Sequence, residues 1–206
     1  LRSVSVDFPL GKMYLLRASG EAEAESEGRV LVSSTLSTLL KLCSGHLAPT
    51  SGTITVPGHL RVRFVPQEPL IFGATLMKNL VPTSTSRTEE EIWALAHTLG
   101  LSDHLIGHAD YPLGSGGLGL KLVDRQVVCL MRAMLCDPDV LLLCKPGAVM
   151  RPAHATKVFR ALAEWVDGGG LDGVSGVTKP VAATPRAGAT GTLESAPPAT
   201  RSAEGN

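Results

Sequence analysis

Five apolar residues in a row, Val140-Leu141-Leu142-Leu143-Cys144, constrain this chain more than any other feature. They follow the turn Asp137-Pro138-Asp139, which itself ends an apolar-rich segment of helical length, Arg125–Cys136. Such a run leaves no polar face for water. It fits a strand covered on both sides, the position of a central strand in a parallel sheet. A second helix candidate, Ala153–Trp165, comes next and carries Val158, Leu162 and Trp165 on one side. Helix, strand, helix in that order predicts an α/β domain with a mainly parallel sheet.

The remaining pattern agrees. Alternation marks a strand candidate at Leu1–Phe8, and short strand candidates follow at Met13–Leu16, Arg29–Val32, Thr53–Val56 and Arg61–Val65. Pro9-Leu10-Gly11 and Pro49-Thr50-Ser51-Gly52 read as turns. Leu36, Leu39, Leu40 and Cys43 line one face of a helix over Thr35–Cys43. Ser86 with Glu89 forms a capping box that opens a helix running to Leu99, with Gly100 as its stop. Two stretches lack an apolar face. Gly20–Gly28, GEAEAESEG, is acidic and reads as a solvated loop or a short exposed helix. The segment 167–206 is rich in Gly, Pro, Ala, Ser and Thr, has no aromatic residue, and is expected to be a disordered low-complexity tail.

Charge and composition exclude several functions. The 206 residues hold 19 Lys+Arg against 19 Asp+Glu, and a nucleic-acid binder would show a basic excess. Aromatic residues make up 4%, too few for a base-stacking platform. No apolar run approaches the ~20 residues of a membrane-spanning helix. Cys43, Cys129, Cys136 and Cys144 show no CxxC spacing and read as reduced thiols. His104 and His108 stand four apart without a carboxylate or Cys to complete a metal set, so no metal site is expected. The run Gly114–Gly119 lacks the preceding strand that a dinucleotide fingerprint requires. The chain starts in mid-pattern without an initiator Met or a secretory signal, which reads as a fragment.

Three segments, in order, resemble the nucleotide-binding domain of ATP-binding cassette (ABC) transporters. LLKLCSGHLAPTSGTITV, Leu39–Val56, is similar to the helix, turn and strand that leave the family's phosphate loop. RFVPQEPLIFGATLMKNL, Arg63–Leu80, is similar to its Q-loop strand and the segment after it. RQVVCLMRAMLCDPDVLLL, Arg125–Leu143, is similar to the helix after its signature peptide and the strand that ends in the Walker B carboxylates. The resemblance is closest to exporter-type members. It implies a RecA-like P-loop NTPase core over residues 1–166, with a helical subdomain at about 86–119. It also implies ATP and Mg²⁺ as ligands, an ATPase activity coupled to transport, and as partners a second nucleotide-binding domain and a transmembrane domain. The location would then be the cytoplasmic face of a membrane, or the cytoplasm if the chain serves no transporter.

The positions that the resemblance assigns to nucleotide are Ser37, Thr38 and Gln67. From the residues alone, Ser37 and Thr38 read as N-terminal helix residues with capping value rather than as Mg²⁺ ligands. The catalytic positions are substituted. Leu36 stands at the phosphate-loop Lys, and Ser33, Ser34 and Thr35 replace its glycine-rich run. Cys144 stands at the Walker B Asp and Lys145 at the catalytic Glu. The signature peptide reads Leu120-Lys121-Leu122-Val123-Asp124, which turns an Asp toward the expected phosphate. The expectation is a degenerate domain with its own hydrolysis lost. A soluble non-catalytic scaffold reusing the fold, or a fragmentary or misassembled product, are the alternatives.

Overall fold

The computed structural model describes residues 4–17, 26–81 and 87–177. Its elements, in order, are α1 (Ser26–Cys43), β1 (Val62–Val65), α2 (Leu76–Leu80), α3 (Glu89–Leu99), α4 (Leu122–Leu135), β2 (Val140–Leu143) and α5 (Pro152–Asp167). Short 3₁₀ turns lie at Ser115–Gly117 and Leu171–Gly173.

β1 and β2 pair in parallel, with Val62 opposite Val140 and Val65 opposite Leu143. Residues 66–139 lie between them, far more than the roughly dozen residues that a parallel crossover needs. Arg61 locks the register. Its backbone N–H donates to Asp139 at 2.7 Å, and its guanidinium Nε donates to the same carboxylate at 3.1 Å. Those bonds hold the exposed Asp139 carboxyl below its ordinary pKa.

Among the described residues the sheet has only these two strands, and β2 is half-buried throughout. The expectation of a central strand covered on both faces is corrected accordingly. The strands expected at 1–8, 13–16 and 53–56 do not form among the described residues. Val4, Val6, Phe8, Met13, Leu15, Ile54 and Val56 are exposed instead. A strand is stabilised by its neighbours, and alternation without a partner is not enough. The turn at Pro9–Gly11 does form: the Tyr14 hydroxyl donates to Pro9 O at 2.9 Å, and Phe8 and Tyr14 meet edge to face.

The core belongs to the helices. Leu95, Leu99, Val127, Leu130, Met131, Met134, Val158 and Leu162 bury into one cluster where α3, α4 and α5 meet, with Val65 of β1 reaching it. Leu105 and Leu113 join that cluster from the irregular chain between α3 and α4. The capping box of α3 is Thr88 with Glu91, two residues later than expected; Ser86 lies outside the described residues. The acidic run offers both registers, and the observed one buries Ile92, Leu95, Ala96 and Leu99. Gly100 closes the helix at φ 75°, as its position predicted.

Two boundaries differ from the sequence reading. Arg29–Val32 is helix, not strand, because α1 runs unbroken from Ser26. No proline and no glycine after Gly28 interrupts it, and the β-branched Val30 and Val32, set beside the helix formers Arg29 and Leu31, do not stop a helix already nucleated. Residues 167–177, expected in the disordered tail, are packed on the domain. Leu171, Val174 and Val177 are buried in the core, and the Ser175 N–H donates to Glu164 at 2.9 Å. The glycines that read as disorder are there for close packing: a Cβ on Gly168 would stand 2.2 Å from Gly173 Cα. Residues 18–25, most of the acidic segment, and 178–206 lie outside the described residues.

Candidate functional site at the strand ends

The register Val65–Leu143 places Pro66-Gln67 and Cys144-Lys145 side by side at the C-terminal edge of the two parallel strands. That edge is where open α/β sheets bind ligands. Gln67 is exposed. Cys144 is buried, and its N–H donates to Val65 O at 3.0 Å, which extends the pairing by one residue. Lys145 is exposed and adopts φ 50°, so the chain turns sharply there. A positive φ is unusual for a residue with a side chain and costs about 1 kcal/mol or more. The pair at this edge is therefore a buried cysteine and an exposed lysine.

Ser37 and Thr38 lie inside α1, about two turns before its end, with Ser37 half-buried and Thr38 exposed. Residues 33–35, where the resemblance expects a phosphate loop, are part of the same helix. A helical backbone commits its N–H groups to the carbonyls one turn earlier, so it offers no cradle of free amides. Just past α1, the His46 ring meets Phe64 of β1 at 5.4 Å.

The loop after Gln67 is held by two residues that the sequence reading did not single out. Asn79 is buried and uses both ends of its amide. Oδ1 accepts from Phe72 N at 2.9 Å, and Nδ2 donates to Phe72 O at 3.2 Å and Thr75 O at 3.1 Å. Arg132 of α4 completes the clamp. Nη2 donates to Asn79 Oδ1 at 3.0 Å, Nε to Asn79 O at 2.8 Å and Nη1 to Leu70 O at 3.0 Å. Its guanidinium also lies 4.7 Å from the centre of the Phe72 ring. Burial pushes its pKa down from the ordinary value. The Cys129 thiol donates to Leu70 O at 3.3 Å, and burial pushes its pKa up. Ile71 is thereby turned into the core while Leu70 and Phe72 face solvent. The signal was present: an Asn inside Leu76–Leu80 and an Arg inside Leu130–Leu135, each among apolar residues, call for a polar partner.

The signature positions sit at the start of α4. Lys121 is exposed at the N-cap and Leu120 is buried. Asp124 does not face outward as the sequence reading had it. It is buried and accepts from Ser102 N at 3.1 Å and Ser102 Oγ at 3.0 Å. Its carboxylate ties the chain after α3 to α4. All four cysteines are free. Among the described residues no three His, Cys, Asp or Glu side chains gather as metal ligands, and no helix is long and apolar enough to cross a membrane.

Parallel strands flanked by helices, with Gln67 just past their C-terminal edge, make an α/β domain. The comparisons narrow the class. The profile of the ABC transporter family matches residues 36–147, more than half of the chain, and the chain belongs to that family. ATP-binding cassette sub-family C member 4 of Mus musculus and of Homo sapiens are each 33% identical over 95 residues, 45% of this chain and 7% of theirs. ABC transporter C family member 3 of Dictyostelium discoideum is 33% identical over 100 residues, 47% of this chain and 7% of its own. The chain thus matches only a small part of the length of these relatives. A solved bacterial Atm1-family ABC exporter with ATP bound shares the fold, with a TM-score of 0.54 at 20% identity, over 60% of this chain and 24% of that one.

Proposed function

We propose that this chain is a degenerate nucleotide-binding domain of an exporter-type ABC protein, one that no longer binds or hydrolyses ATP at its own site. The observation that carries the reading is α1. It runs as helix through residues 33–35, where nucleotide would need a loop of free backbone amides. The side chains agree. Leu36 supplies no charge to phosphate. Cys144 offers sulfur to Mg²⁺, a hard ion that takes oxygen ligands. Lys145 is a cation where a base must accept a proton from water. The residues present therefore do not fit Mg²⁺–ATP, and no catalytic step follows from them.

Beside the strand ends, Gln67 is followed by a loop clamped by Asn79 and Arg132 that presents Leu70 and Phe72. In this reading the domain works beside a second, intact nucleotide-binding domain and a transmembrane domain, at the cytoplasmic face of a membrane. Intact domains of this family close on each other around ATP. This chain alone is expected not to self-associate when Mg²⁺–ATP is added, as measured by sedimentation velocity. An ATP-dependent dimer of the chain would overturn the proposal.

A further inference from the structure

An open cleft of about 610 Å³ lies among α3, α4 and α5, and none of Ser37, Thr38, Gln67, Cys144 or Lys145 lines it. Its frame is built from part-buried polar bonds. The Asp124 carboxylate accepts two bonds from Ser102, which ties the chain after α3 to the first turn of α4. A ring nitrogen of His154 lies 2.7 Å from Leu99 O, which ties α5 to the end of α3. Gly100 fits between them only because it lacks a side chain: a Cβ there would stand 2.7 Å from His154 Nε2.

Polar side chains line this frame from separate elements. His97 comes from α3, His104 from the loop after it, Lys121 from the start of α4 and Lys157 from α5, one turn beyond His154. The acidic lining residue is Asp103, since Asp124 is buried and spent on Ser102. Among the described residues neither lysine takes part in an ion pair. Leu101 is the one large apolar side chain in the lining, and it is buried. An apolar ligand would find nothing to bury against. The volume is in the range of small-molecule sites. Two lysines brought from separate elements to one open cleft suit a small ligand with several negative groups, and no apolar strip is present in the lining to seat the side chains of a peptide.

We propose that this cleft binds a compact oligophosphate through Lys121 and Lys157, with His97 and His104 beside them. The claim does not depend on the state of the strand-end site. The test is calorimetric titration of the full chain with inorganic tripolyphosphate, without Mg²⁺, at moderate salt. Saturable one-site binding is expected. Lys121→Gln with Lys157→Gln together should weaken it by roughly tenfold or more, because two cations in a cleft act through a lower dielectric than in bulk water. Asp103→Asn should tighten it. These are exposed side chains, so unchanged melting checks that each variant folds. Phosphatidylcholine vesicles carrying phosphatidic acid form a second arm. Co-sedimentation that the lysine pair abolishes, without tripolyphosphate binding, assigns the same chemistry to a lipid headgroup. Four outcomes overturn the proposal: no saturable binding in either arm, equal binding by the double variant, an equal loss with Lys145→Gln, or equally tight binding of a polyglutamate peptide.

Discussion

Phosphate release from Mg²⁺–ATP by the purified chain is expected to stay at the buffer background. Enzymatic phosphoryl transfer rests on positioning and on charge stabilisation, with little covalent work for the protein. At the strand edge this chain offers a buried thiol and an exposed ammonium, and at the phosphate-loop position it offers helix. Loss of one electrostatic stabiliser typically costs about 10²–10³-fold in rate. Such losses do not add within one site, so the combined deficit is large without being their product. Restoring the side chains alone is not expected to help. Leu36→Lys, Cys144→Asp and Lys145→Glu together leave residues 33–35 in α1, with their amides spent on the helix. Only a variant that also breaks the helix with glycines there should gain turnover. Release at the rate of an ordinary ATPase by the parent chain, abolished by Ser37→Ala, would contradict this account.

The second large effect concerns the loop after Gln67. Asn79→Ala removes the acceptor of Phe72 N and the donor to Phe72 O and Thr75 O, and it strips Arg132 of one partner. A part-buried group left without a partner costs about 1–3 kcal/mol. A total loss of about 2–4 kcal/mol is expected on that scale, read by urea unfolding. Arg132→Met, which keeps the apolar stem, should cost a similar amount. The double variant should lose less than the sum, because the pair shares one network, with a coupling of about 1 kcal/mol or more. Two single losses under about 0.5 kcal/mol would show that water replaces the clamp without penalty.

The residues that the sequence made legible are those whose environment is local or continuous. The apolar run at Val140–Leu143 had to be strand, and it pairs in parallel with Val62–Val65. Gly100 had to stop a helix. Gln67 is at a strand end because Pro66 ends β1. The failures come from partners that a linear reading cannot see. Alternation at 4–8 and 53–56 predicted strands, yet no neighbour pairs with them among the described residues. The composition past Asp167 predicted disorder, yet Leu171, Val174 and Val177 are spaced to bury and Gly168 and Gly173 touch. Asp124 was read as facing outward, and its partner Ser102 stands twenty-two residues earlier in sequence. At the phosphate loop the missing glycines were noticed, but their structural consequence, a continuous α1, was not.

Calorimetric titration of the full chain with Mg²⁺–ATP tests the central claim most directly, because it asks about binding before any chemistry. With the cleft lysines replaced (Lys121→Gln with Lys157→Gln), so that only the strand-end site is read, the account predicts no saturable heat up to millimolar nucleotide, where even a weak site with a dissociation constant near 1 mM would begin to fill (about −4 kcal/mol). Micromolar binding that is lost in Thr38→Ala or Ser37→Ala would show that α1 opens into a phosphate loop when nucleotide is present, and the claim of a degenerate site would fall.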